Sequence, residues 1–468
     1  MKGIILITLI NVREELSQAR VGAFHLRFAA LLTLIVFVIG YDIFNTAYAI
    51  PLIRKLWNPT PSMIGFMLSS SNVGVVIGSI LQGVLADRIG RRKVMLLALW
   101  ILPLASGALA TVVHDVWSFS LFRFMLGTGI GMVMPLALTC INEWAPQRNA
   151  NSFAIFIFQF GFAAGGICAG IAGIMVTPHF GWQSLYFLGT LSAVVAVAAM
   201  KWLPESLQYL TLHGRYNEVL VLLRKVRPER VNIYATARIE AMRNTSRPGS
   251  IKDLFSNEYR RSTIIIWIVG ALSLFCINGL TGWLPSLVIA KGQGISSAFS
   301  YGTFVMIASM FGGIAMGWLA DYLASRIKAM VIGFALTAIF MSTLIIALNQ
   351  SLGMALVAAT GFFIFGTQAV LNNYQAMTYR TEIRGTGMGV AVGINHIGGA
   401  LGPISVGVVT SINPDPAYVF AIFSVALVIA AVAIAFGRVE VSSLPIHREE
   451  EAAVDIPFDT KKTEAMRN

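Results

Sequence analysis

The sequence predicts an all-α membrane protein of twelve transmembrane helices, arranged as two pseudo-symmetric six-helix bundles. Three observations predict it. Of 468 residues, 56% are hydrophobic and 12% charged, with a mean hydropathy of +0.73, a balance that places the chain among polytopic membrane proteins. Apolar runs of about 20 residues, the length that crosses a bilayer as a helix, recur along the whole chain. A motif at the end of the second run, GVLADRIGRRK (Gly83 to Lys93), returns in weaker form at the end of the eighth as GWLADYLASRIK (Gly317 to Lys328).

Taken in order, the first six spans are read at 25–50, 63–86, 93–113, 116–142, 150–176 and 182–203. With the polar lead they make an N-terminal bundle over 1–203. A central loop follows at 204–260, rich in Arg and Lys, in which HGRYNEVLVLLRKV has the spacing of an amphipathic helix. The second six spans are read at 261–290, 298–320, 328–348, 352–378, 385–411 and 416–437, a C-terminal bundle over 261–437, with a polar tail at 438–468. The repeat extends beyond the motif: Arg148 trails Asp87 by 61 residues and Arg384 trails Asp321 by 63. Six-helix repeats with a site between the halves are a transporter architecture.

The net charge of +12 is distributed by side, which excludes nucleic acid as its explanation. The loops assigned to one face carry Arg54, Lys55 and Lys291, and nearly all other basic residues fall at the termini or on the opposite face. The positive-inside rule then puts both termini and the central loop in the cytoplasm of a bacterial inner membrane. The N-terminal lead has no small-residue cleavage site and reads as a cytoplasmic segment. Cys140, Cys168 and Cys276 lie in apolar runs, so no disulfide framework is implied. No phosphate-binding loop, dinucleotide fingerprint, metal-spaced Cys/His cluster or catalytic triad setting occurs, so no enzyme, cofactor or metal is expected. The expected partners are a small-molecule substrate, protons and the lipid bilayer, with the protein acting as a monomer and driven by a gradient.

The first span holds the most informative residue. In VFVIGYDIFNTAYAIP (Val36 to Pro51), Asp42 sits inside an apolar run, where a charge costs at least ~2.5–3.5 kcal/mol and needs a partner or a proton. Asn45 shares its helical face, and Asn45 and Tyr48 are candidate substrate contacts. In the fourth span, FRFMLGTGIGMVMP places Arg123 before Gly127, Gly129 and Gly131. An Arg at that depth requires a counter-charge, and Asp42 is the candidate, either as a fixed ion pair or as a proton-coupling pair. In the loop motif, Gly83 and Gly90 allow close helix approach, Asp87 suits a helix N-terminus, and Arg88, Arg91 and Arg92 form a basic cluster. Together with Glu143 and Arg148 of NEWAPQR, and with Asp321 and Arg384 of the second copy, they are read as a conformational switch.

Further candidate cavity residues are Gln159, at the head of the packing stripe Gly161, Gly165, Gly166, Gly170 and Gly173, and Asn278 and Trp283 of the seventh span. Gln159 is open to two readings, an interhelical bond or a substrate contact. The tenth span offers Gln368, Asn372 and Gln375 on one face, with Asn373 beside them. The eleventh, GVAVGINHIGGALGP, offers Asn395 and His396, whose imidazole titrates near neutral pH.

These residues resemble the major facilitator superfamily over essentially the whole chain, on GVLADRIGRRK, its weaker copy, the Arg–Gly repeat of the fourth span, NEWAPQR and the LPES that leaves the sixth. Within it the chain is most similar to the aromatic acid:proton symporters. IGYDIFNTAYAIP (Ile39 to Pro51) aligns with their first-helix motif DG(F/Y)D…P, and GINHIGGALGP resembles their eleventh-helix motif. The resemblance implies that Asp42 is needed for transport, that Arg123 is the fourth-helix Arg, and that Asp87 governs the conformational switch. Two positions depart from the pattern: Ile39 replaces the first Asp and His396 stands where an Arg is usual. The expected function is proton-coupled uptake of a small organic anion, an aromatic or related carboxylate, by alternating access. Proton-coupled sugar porters share the GYD first helix, Gln159 and the PES motif, and are the alternative. Their paired glutamines before Asn278 are Leu272 and Ser273 here. Drug efflux lacks its fifth-span Gly–Pro motif, and a non-transporting receptor would need an added sensing domain.

Overall fold

The computed structural model describes residues 9–144, 156–239, 250–346 and 350–437. It contains twelve helices long and apolar enough to span a membrane. In the first half these are α1 (Ala23–Trp57), α2 (Pro61–Ile89), α3 (Arg91–Thr111), α4 (Val116–Trp144), α5 (Ile157–Met175) and α6 (Gln183–Trp202). The second half has α7 (Arg260–Ala290), α8 (Ile295–Tyr322), α9 (Arg326–Ile346), α10 (Gln350–Thr378), α11 (Thr381–Ile412) and α12 (Pro416–Ala435). The largest departure from the expected edges is α1, which runs on to Trp57. Arg54 and Lys55 suit its C-terminal dipole, and Asn58 ends it in the left-handed conformation at φ 47°. The expected start of the fifth span, Arg148 and the tail at 438–468 lie outside the described residues.

Local chemistry sets the turns. Thr60 caps α2 by accepting from the Met63 amide at 3.3 Å, and Pro61 occupies the first turn, where no donor is lost. Between α2 and α3, Gly90 adopts φ +97°, a conformation that favours glycine. In each half the first helix packs on the fifth and the second on the fourth: α1 on α5 and α2 on α4 are repeated by α7 on α11 and α8 on α10. Small residues bring the backbones together. A Cβ at Gly127 or Gly131 of α4 would run into the main chain of Ser71 or Val75 on α2.

The halves meet along two seams, α2 against α11 and α5 against α8. Both are closed on the face away from Leu9 and Gly437, the two ends of the described residues. Ser62 and Ser411 hydroxyls lie 3.0 Å apart, and Ser69 Oγ donates to the Ala400 carbonyl at 2.6 Å. On the other seam Gly170 lies against Thr303 and Gly173 against Phe299. Towards the face that carries the termini the halves splay. Gly385, Gly389 and Gly393 of α11, and Gly83 of α2, have nothing within 4 Å of where a Cβ would stand.

The central loop is not one unit. Leu207, Leu210, Val219, Leu223 and Tyr234 pack into the core of the first half, whereas Leu254 and Tyr259 pack with Tyr379 of the second. The expected amphipathic helix forms at Tyr216–Val226. The N-terminal lead is fastened to it. Strand β1 (Leu9–Ile10) pairs in parallel with β2 (Arg238–Ile239). Glu15, on the short helix Val12–Ser17, is buried, where an unpaired carboxylate would be costly. It accepts from Arg227 at 3.0 Å, Arg230 at 2.7 Å and the Tyr234 hydroxyl at 2.7 Å. Burial, and then the bond to Glu15, hold the Tyr234 phenol above its ordinary pKa, so it stays a donor. Glu15→Ala removes the acceptor shared by three donors and is expected to cost this clasp about 1–3 kcal/mol. Limited trypsinolysis checks it: cleavage between Arg215 and Arg238 should accelerate, and unchanged protection would show that the clasp does not depend on Glu15.

Candidate functional site

Where the two seams end, a cavity of about 310 Å³ lies between the halves, lined from α1, α2, α4, α5, α7, α10 and α11. That is at the lower end of small-molecule sites, about 300–1,000 Å³. Arg123 is the one lining residue, among the described residues, with a full charge, and His396 the one further titratable group. Carboxamides supply most of the remaining polarity, from Asn72, Gln159, Asn278, Gln368, Asn372 and Asn395. Phe44, Phe158, Phe162 and Phe365 supply the apolar wall. Phe44 meets Phe162 edge-on with ring centres 5.3 Å apart at 73°, and Phe365 at 6.5 Å and 64°, the geometry that aromatic quadrupoles favour and that a planar guest ring can join.

Several polar atoms on these residues take no bond from the protein: Arg123 Nε, Gln368 Oε1, Asn395 Oδ1 and His396 Nδ1. Buried polar groups are nearly always paired; these four are enclosed behind the cavity surface, Asn395 Oδ1 against Gly270 of α7. Gln159 sits in a π-helical turn, Phe156–Phe160, a geometry frequent at functional sites. Its Nε2 donates to the Ser309 carbonyl of α8 at 2.5 Å, so this residue both bridges the halves and lines the cavity.

Of the residues singled out in the sequence, Arg123, Gln159, Asn278, Gln368, Asn372, Asn395 and His396 are brought together here. Asn45, Tyr48, Trp283 and Asn373 do not line this cavity. Asn45 is buried and donates to Asp42 Oδ1 at 3.4 Å. Tyr48 is buried in the closed seam, edge-on to Phe299 at 5.2 Å. Trp283 Nε1 donates to the Pro403 carbonyl at 3.0 Å and so ties α7 to α11. Asn373 is exposed next to Asn372. Gln375 is fully buried, and neither of its side-chain polar atoms has a partner. Asn72, Ser71 and the four phenylalanines were not singled out. Phe158 and Phe162 flank Gln159 at helical spacing and were inferable; Asn72 carries no such signal.

The expected ion pair between Asp42 and Arg123 is not formed in this conformation. Arg123 Nη1 donates instead to the main-chain carbonyl of Asp42 at 2.8 Å. The Asp42 carboxylate turns towards α3 and α6. Its Oδ1 lies 3.4 Å from Ser106 Oγ and close to Gly189, and its Oδ2 has no partner. A helix carries its carbonyls along its axis and its side chains outward, so an Arg approaching α1 from the cavity side meets the backbone while Asp42 faces away.

On the face that carries the termini, part of the candidate switch forms one cluster. Arg91 pairs with Glu143 at 3.1 Å and bonds Gln208 at 3.0 Å. The second oxygen of Glu143 accepts from Ser206 Oγ and the Gln208 amide, each at 2.8 Å. Glu205, of the LPES sequence, accepts from the Arg92 amide at the start of α3 at 3.0 Å, where the helix dipole favours a negative charge. Arg92 Nε reaches the Leu203 carbonyl at 2.7 Å. All of these contacts lie within the first half. Arg88 is exposed, and the side chain of Asp87, near the end of α2, lies outside the described set. In the second copy Asp321 is exposed and Arg384 donates to the Tyr379 carbonyl at 3.3 Å.

Comparison with known proteins gives the family. The model of the Major Facilitator Superfamily matches residues 32–367 and 302–465. The chain belongs to the Major Facilitator Superfamily. Among proteins of known function it is similar to the benzoate transport protein of Acinetobacter baylyi, 29% identical over 91% of this chain and 92% of the relative. The niacin transporter of the same organism is 29% identical over 92% and 97%, and the gallate transporter of Pseudomonas putida 29% over 91% and 94%. Among solved structures, the xylose transporter XylE from E. coli in a partially occluded inward-open conformation superposes with a TM-score of 0.71 at 16% identity, covering 88% of this chain and 97% of that one. That likeness establishes the fold. The protein is an integral, multi-pass membrane transporter of this superfamily.

Proposed function

We propose that the protein takes up an aromatic carboxylate together with protons, by alternating access of the central cavity to the two faces of the membrane. The observation that carries this reading is the cavity itself: a space between two halves whose one full charge, among the described residues, is the Arg123 cation, walled by phenylalanines and carboxamides. A cation whose neighbouring carboxylate, that of Asp42, turns away from the cavity favours an anion there, and the rings favour a planar apolar body. The named relatives, transporters of benzoate and gallate, support the same substrate class.

The asymmetry of basic residues orients the termini and the central loop to the cytoplasm. The described conformation, closed on one face and splayed on the other, is then inward-facing. Asp42 carries the proton in this reading, Arg123 binds the carboxylate with help from His396, and the Arg91–Glu143 pair and the Glu205 cap of α3 hold the cytoplasmic end of the first half together as the halves rock.

Proteoliposomes test it. With one proton per substrate, an inward gradient of one pH unit should support about a tenfold accumulation of benzoate or a hydroxybenzoate, abolished by a protonophore. Accumulation of hexose instead of these acids would transfer the assignment to a sugar porter.

A further inference from the structure

The two halves are joined at the closed end of the cavity by a pair of carboxamides. Asn278 Nδ2 of α7 donates to Asn72 Oδ1 of α2 at 2.9 Å. Gly399 of α11 makes room for the pair, since a Cβ there would fall on Asn278 Nδ2 and stand 3.5 Å from Asn72 Oδ1. Other hydrogen bonds cross between the halves, but Ser62–Ser411 and Ser69–Ala400 lie outside the cavity lining, and the Gln159 bridge ends on a main-chain carbonyl. In the Asn72–Asn278 pair both ends line the cavity, where a ligand can reach them.

We propose that Asn72 and Asn278 form a latch displaced by substrate: their bond holds the cavity closed on the face away from the termini while the site is empty, and a ligand oxygen that takes the Asn278 donor releases it. Opening that face separates α2 from α7 and must break the bond. In empty protein it is exchanged for bonds to water, and the net difference weights the equilibrium towards the described conformation. A hydrogen bond between neutral groups of this kind is worth about a three- to tenfold bias. A ligand oxygen that takes the Asn278 N–H now given to Asn72 must displace Asn72 in the closed state but finds that donor free in the open one. It therefore binds the open state better by the same factor, and linkage makes the effect reciprocal. Asn72 thus acts as a positioning residue for transport, and the ligand half of the proposal rests on the carboxylate reading given above.

The test is the reactivity of a cysteine buried in the other seam. Thr303→Cys is placed in protein lacking the native cysteines, reconstituted in nanodiscs, and labelled with a maleimide, whose rate reports opening of that seam. Without ligand, Asn72→Ala and Asn278→Ala should each raise the rate about three- to tenfold, and the double variant no more than either. Gly399→Ala, whose Cβ pushes Asn278 off Asn72 while both asparagines are kept, should do the same. Rates equal to the parent in all of these, or effects of the two asparagine variants that simply multiply, would overturn the latch. Benzoate should raise the rate in the parent and add little in Asn72→Ala; an equal increase in both would overturn displacement by ligand. If benzoate neither binds nor changes any rate, the carboxylate reading fails while the ligand-free comparison still decides the latch.

Discussion

Replacing Arg123 with Gln is expected to weaken benzoate binding about ten- to hundredfold, the loss of a charge-assisted hydrogen bond of about 1.5–3 kcal/mol, while benzamide binds as before. The contrast follows from geometry. One guanidinium nitrogen is committed to the Asp42 carbonyl at 2.8 Å, and Nε takes no bond from the protein. The planar fork holds α1 with one nitrogen while the residue lines the cavity, a combination that a point-charge ammonium cannot reproduce. Arg123→Lys should accordingly fall between the parent and Arg123→Gln. Gln keeps an N–H donor group and most of the volume, so a neutral ring of the same shape serves as the control for folding and cavity shape. Titration calorimetry with the two ligands reads the result. Equal losses for benzoate and benzamide would mean that Arg123 supports the cavity without recognising an anion.

The membrane fold was legible because a bilayer imposes a strict rule: every span must be apolar and about 20 residues long. Helix edges such as Arg260–Ala290 and Val116–Trp144 therefore fell within a few residues of their expected limits. The site was legible only as a list of helix faces. Periodicity says that Asp42 and Asn45 share a face, but not which neighbour that face meets. Here it meets α3 and α6, so the carboxylate and Arg123 approach α1 from different sides. Tyr48 and Trp283 were drawn towards the site by their chemistry, yet each is used to pack one helix on another.

Long-range pairing was the least legible layer. Glu15 in a polar lead looks like a solvated surface residue, and nothing local announces partners at Arg227, Arg230 and Tyr234. Asn72 was hidden for the same reason, in a run of serines whose hydroxyls serve helix packing. Glu205 shows the intermediate case: the LPES sequence marked it as the end of a span, and the structure adds its seat on the N-terminus of α3.

Asp42→Asn should abolish accumulation of benzoate against its gradient while exchange of internal for external benzoate continues. Asn has the shape of the protonated acid and cannot give up a proton, so the variant keeps one of the two forms that a proton-coupled cycle must alternate between. The pocket accommodates that form. Asp42 is fully buried, its Oδ1 has Asn45 and Ser106 within 3.4 Å, and its Oδ2 has no donor facing it, so an amide replaces the acid without stranding a charge. The bond that Arg123 makes to residue 42 goes to the main chain and survives the substitution, which leaves the cavity's cation in place to bind substrate. Exchange requires only that the loaded carrier rock between its two states, whereas net uptake requires the proton to be released and recaptured in each cycle. Parent proteoliposomes under an inward gradient of one pH unit should approach about tenfold accumulation, and the variant should stop at a ratio near one with exchange retained. Full accumulation by Asp42→Asn would remove Asp42 from coupling and move the search to His396, which with Arg123 makes up the titratable groups of the cavity wall among the described residues.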